Sequence, residues 1–151
     1  MNRHQKDNLQ IVSILKEKQE QVIPLALNEM YLNCRPNSDW LWWVFPSDIT
    51  FRNQPVPIIH MTPETFLLYL SSYPLEWKYL IQRIYKTICY IKHPITTIFN
   101  NKYHQQYIKR SIKFILRVLS KLDDHEFSWL YDCLRFFKKN FNNYQYPSSI
   151  L

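Results

Sequence analysis

Apolar residues recur at three- and four-residue intervals along most of this chain, the spacing of helices that bury one face. The first such run follows Asp7, a residue suited to capping a first turn. Ile11, Ile14 and Leu15 share a face there, with Lys16, Glu17, Lys18 and Glu20 outside. Pro24 predicts a break and the start of a second, short helix holding Leu25, Leu27, Met30 and Tyr31. That helix is expected to stop near Cys34, because Pro36 disfavours helical geometry at Arg35. The apolar run Trp40–Pro46 is too short for periodicity to separate strand from helix. Ser47 to Met61, with Pro46, Pro55 and Pro57 in or beside it, reads as irregular, and a loop of that length invites a binding or lid role.

Helical signals then return. Thr62-Pro63-Glu64 has the form of N-cap, first-turn proline and early acid, opening a helix through Phe66, Leu67 and Leu70 to about Ser72. Pro74 starts another, with Trp77, Leu80, Ile81, Ile84, Ile88 and Ile91 on its apolar face, and Pro94 ends it. A long helix is expected from about Tyr103 to Leu122. A last one, capped by Asp123 or Asp124, carries Phe127, Leu130, Leu134, Phe137 and Phe141. The pattern predicts an all-α fold: a compact single-domain bundle of about six helices over residues 8–141, with a Trp-rich segment and an irregular Pro-containing loop. Residues 1–7 are expected to be a flexible lead, and 142–151 a frayed tail.

Composition sharpens this picture. At 151 residues, 46% hydrophobic and 17% aromatic, the chain has enough apolar surface for one core and does not read as disordered. It contains no glycine. Turns are therefore expected to rest on Pro, Asn, Asp and Ser, and the glycine loops that cradle phosphates in nucleotide-binding folds are excluded. Cys34, Cys89 and Cys133 are odd in number and widely spaced, which argues against a disulfide framework and a zinc knuckle and for free thiols in a reducing compartment. No apolar run approaches the ~20 residues of a membrane span, and the polar start carries no secretory signal, so an intracellular protein without membrane association is expected. The wealth of Asn, Ile, Lys and Tyr points to AT-rich coding, as in a large DNA virus or a protist.

Charge is unevenly distributed. Residues 1–60 carry six Lys or Arg and six Asp or Glu, so the whole net charge of +7 resides in residues 61–151. From Lys78 to Leu122 there are ten basic residues and no acidic one. Lys109, Lys113 and Arg117 recur every fourth residue along one helix face, with Arg110 and Lys121 beside them. This stripe suits a nucleic acid, a phosphorylated small molecule or an acidic protein surface. The competing reading is a solvated face paired with Glu17, Glu20, Asp124 or Glu126. Arg110 matters most, because a guanidinium binds phosphate or carboxylate through two parallel bonds.

The Trp40, Trp42 and Trp43 indoles offer either flat stacking surfaces or, as aromatic blocks more commonly do, core packing; in the packed version Trp42 lies at the core's edge. The segment Ser38-Asp39-Trp40-Leu41-Trp42-Trp43-Val44-Phe45-Pro46 resembles the S-H-W-M-W-F-I-F-P signature of domain-of-unknown-function family 1810. Ala26-Leu27-Asn28-Glu29-Met30 is similar to that family's A-L-x-E-L, and Tyr69-Leu70-Ser71-Ser72-Tyr73-Pro74-Leu75 to its Y-L-x-H-P-x-L. Asp39 stands where the signature has histidine. The resemblance implies a small all-helical protein and no particular activity.

Catalytic signals are sparse. His4, His60, His93, His104 and His125 show no metal-ligand spacing, so neither metal nor cofactor is expected. His60, Asp39 and Asp48 are the candidates for acid or base in an enzyme acting on a nucleotide or ADP-ribose-like substrate. The balance favours a binding module for an anionic, nucleotide-like ligand, with Trp40–Pro46 and the loop after it as one wall and Lys109 and Arg110 supplying charge. Binding of nucleic acid or an acidic protein along the exposed stripe is the alternative.

Overall fold

The computed structural model describes residues 2–48, 60–123 and 125–143. Among them the fold is all-α: α1 Arg3–Asn33, α2 Leu41–Val44, α3 Pro63–Leu70, α4 Leu75–Tyr90, α5 Ile95–Ile98, α6 Lys102–Leu119 and α7 Ser128–Asn143. A 3-10 turn, His125–Phe127, leads into α7. Most of the irregular loop expected between Ser47 and Met61, and the tail after Asn143, lie outside the described residues. The anchor points of that loop meet in one parallel bridge, Ser47 to His60.

The first helix departs most from expectation. It begins at Arg3, before Asp7, because Asn2 and Gln5 form a reciprocal capping box: each side chain bonds the other's backbone N–H at 2.8–3.0 Å. It also continues through Pro24. A proline inside a helix removes one hydrogen bond and crowds the preceding turn. Here Pro24 is exposed, while Val12, Leu15, Gln19, Ile23, Ala26 and Met30 form an uninterrupted buried stripe on the other side. Burial of that stripe outweighs the local cost. The helix ends where predicted, at Cys34, whose N–H bonds Met30 O at 3.1 Å.

α1 packs on α3 and α4, and α7 covers α4 and α6. The centre is aromatic: Trp77 is fully buried, lies edge-on to Tyr69 and Trp129, and donates its indole N–H to Val44 O at 2.9 Å. Pro94 does more than end α4. It opens the short α5, whose first free N–H, at Ile95, bonds Asn140 Oδ1 at 2.7 Å. Among the described residues no helix is long and apolar enough to cross a membrane.

The lack of glycine has a local consequence. Among the described residues two turns adopt left-handed backbone, and they use Cys34 (φ 58°) and Lys92 (φ 65°) rather than the Pro, Asn, Asp or Ser expected at turns of a glycine-free chain. A side chain with Cβ costs about 1–2 kcal/mol in that conformation. Cys34→Gly and Lys92→Gly should therefore each raise unfolding free energy, by about 1 kcal/mol after the added freedom of the unfolded chain is subtracted. Urea denaturation measures this, and a loss of stability in both variants would contradict it.

Candidate functional site

The Trp-rich segment is helical, a single turn pinned from three sides. Glu29 of α1 is buried and accepts hydrogen bonds from the Asn37 N–H (2.8 Å), the Ser38 hydroxyl (2.6 Å) and the Trp40 indole N–H (2.9 Å). Gln19, fully buried, donates to Trp43 O at 2.9 Å and accepts from the Tyr69 hydroxyl at 2.7 Å. Ser111 of α6 donates to Pro46 O at 2.6 Å. Trp40 is 1% exposed and Trp42 7%, and Trp42 packs on Tyr107 and His104. The indole at the edge is Trp43, half-buried with the Lys18 ammonium 5.6 Å from its ring centre, where Trp42 was expected. Trp40 and Trp42 thus fill the core and present no open ring face.

Burial alone would raise the Glu29 pKa, but the hydrogen bonds from Ser38, Asn37 and Trp40 outweigh it and hold the carboxyl below its usual range. A depressed carboxylate stabilises the fold above its unfolded pKa, about 4.3, and that contribution disappears as pH falls through the folded value. Glu29→Gln should accordingly lower stability at neutral pH by about 1–3 kcal/mol. It should also narrow the gap to the parent below about pH 4. Thermal unfolding between pH 3 and 7 checks this, and a constant gap would contradict it.

Among the described residues no hydrogen bond or ion pair joins the three catalytic candidates to one another, although the Ser47–His60 bridge sets His60 beside Asp48 along the backbone. Asp48 is held by Arg110 through two parallel bonds of 3.2 Å each, which accounts for both residues as a structural pair between the Trp segment and α6. Asp39 is exposed and lies 3.9 Å from His104. His60 is exposed at the far anchor of the loop. Among the described residues no three His, Cys, Asp or Glu side chains converge as metal ligands would. Cys133 is a buried free thiol whose pKa burial pushes up to about 11, an inert core side chain.

The basic residues give a clearer arrangement. α6 and α7 lie side by side and antiparallel, with Lys109 over Phe141 at one end and Ser120 beside Tyr131 at the other. Three recesses run along their seam. The first, about 200 Å³, is lined by Lys109, Ile112, Lys113, Lys138, Phe141 and Asn142. The central one, about 440 Å³, shares Lys113, Lys138 and Asn142 with it and adds Arg117, Arg135 and Lys139. The third, about 280 Å³, shares Ser120 and Tyr131 with the central one. Together they form one groove carrying six cations and lined by no described carboxylate.

Lys109, Lys113 and Arg117 are exposed, and none makes an ion pair with a carboxylate among the described residues. Glu17 and Glu20, proposed as partners, sit on α1, which packs mainly on α2, α3 and α4. Asp124 lies outside the described residues. The α7 contribution of Arg135, Lys138 and Lys139 was not singled out from sequence, although Tyr131, Arg135, Lys138 and Asn142 recur at helical spacing. The Trp segment lines none of these three recesses, so the structure places Lys109, Lys113 and Arg117 apart from Trp40, Trp42 and Trp43. No protein-family profile matches the chain, and neither does any curated protein or solved structure.

Proposed function

We propose that this protein binds nucleic acid through its phosphate backbone, in the groove between α6 and α7. The observation that carries this reading is the convergence of Lys109, Lys113 and Arg117 from one helix with Arg135, Lys138 and Lys139 from the next. Like charges so close repel one another, which makes the surface a poor product of folding alone and a good complement to a polyanion. From Lys109 to Arg117 the helix rises about 12 Å. That span suits successive phosphates of a strand better than the one or two of a small nucleotide.

A pocket for a nucleotide-like molecule between the Trp segment and Lys109–Arg110 has less support, because Trp40 and Trp42 are buried and Arg110 is engaged by Asp48. Enzymatic action through His60, Asp39 or Asp48 has less support, because Asp48 is engaged by Arg110 and Asp39 is exposed beside His104. Kinship with family 1810 remains part of the proposal. In its favour, Glu29 of the A-L-x-E motif bonds directly to Ser38 and Trp40 of the Trp signature, a physical reason for the two to occur together.

Amide chemical shifts recorded during titration with a short oligonucleotide test the placement. Shifts should cluster within residues 109–120 and 128–142. Shifts centred on Trp40–Phe45, or none anywhere, would overturn the proposal.

A further inference from the structure

We infer that the groove selects single-stranded over duplex nucleic acid, by taking one unstacked base into the recess at the α6–α7 turn. The inference rests on the binding proposed above and specifies its substrate. The recess of about 280 Å³ is walled by Leu119, Leu122, Phe127 and Tyr131, and closed by Ser120 and Ser128. Among the described residues no charged side chain lines it, whereas the adjoining stretch of groove holds five Lys or Arg. Asp123 and Glu126 belong to the same turn but stay outside the lining.

This is the division of labour that single-strand binding requires: cations that track the backbone, next to aromatic and apolar surface for a base. The two compartments meet at Tyr131, with the Arg135 guanidinium 5.7 Å from its ring centre, so a phosphate held by Arg135 would deliver its neighbouring base to the recess. The hydroxyls at the mouth are oriented too. Ser120 and Ser128 each donate to a backbone carbonyl three residues earlier, Arg117 O and His125 O, both at 2.8 Å. Their oxygens keep free lone pairs that can accept from the N–H groups on a base's pairing edge. In a duplex those N–H groups are already paired and the ring faces are stacked, so neither wall nor mouth can be used.

The test compares an eight-nucleotide single strand with the duplex of the same sequence by fluorescence anisotropy at low salt. The parent protein should bind the single strand about tenfold more tightly, the worth of one stacked base. Tyr131→Ala should bring the single strand down to the duplex level, its loss on the single strand exceeding any loss on the duplex about tenfold. Ser120→Trp, which fills the recess from an exposed position, should do the same without removing a core contact. Equal affinity for the two ligands in the parent, or equal losses on both in the variants, would overturn the inference while leaving backbone binding standing. Absence of binding to either ligand would overturn both.

Discussion

Trp40→Ala is expected to cost about 3–5 kcal/mol of unfolding free energy, a large share of the 5–15 kcal/mol typical of a domain. The ring is 1% exposed and packs edge-on against Phe99 at 5.9 Å. Its indole N–H is one of the three donors that satisfy the Glu29 carboxylate. Alanine would leave a cavity and a buried anion short of one hydrogen bond, and the second effect adds to the first. Trp43→Ala should cost less than half as much, because that ring is half-buried and touches Lys18 at the surface. Urea denaturation followed by circular dichroism distinguishes the two. A Trp40→Ala variant within about 1 kcal/mol of the parent would mean that the segment is not part of the core.

That contrast shows where the sequence was readable. α3, α4 and α6 were legible from their apolar stripes, and Thr62, Pro63 and Glu64 open α3 as their chemistry predicts, with the Thr65 N–H donating to Thr62 Oγ1 at 3.1 Å. α5 was not expected, and α7 opens at Ser128 behind the His125–Phe127 turn rather than directly after Asp123 or Asp124. In α1 the local proline rule and helical periodicity conflict at Pro24, and periodicity prevails there. The buried residues Leu15, Gln19, Ile23, Ala26 and Met30 keep helical spacing straight across it, but Gln19 breaks the apolar pattern. Its burial depends on partners at Trp43 and Tyr69, 24 and 50 residues away, which no local pattern reveals. The basic stripe was visible on α6, yet its meaning depends on which helix lies beside it. Arg110 looked like the best phosphate ligand and instead serves Asp48, while the cations that face Lys113 and Arg117 come from α7.

Reversing charge in the groove should have the second large effect. Lys113→Glu combined with Arg117→Glu changes four units of charge at its centre. At about 1 kcal/mol per close charge pair in water, oligonucleotide affinity should fall more than 100-fold. Both residues are exposed, so stability should change by no more than about 0.5 kcal/mol per site. Lys16→Glu with Lys18→Glu on α1 alters the net charge equally and should leave binding within a few-fold of the parent. Equal losses from the two double variants would mean that net charge, not the groove, attracts the ligand.

The central claim is that the α6–α7 cations bind successive phosphates, and the salt dependence of binding measures it most directly. If five of the groove's cations each displace a counterion from a single strand, log K should fall against log salt with a slope of about −3.5. Raising salt from about 50 to 200 mM should then weaken binding roughly 100-fold. A slope near −1 would mean that only one or two phosphates are engaged, and would contradict the account.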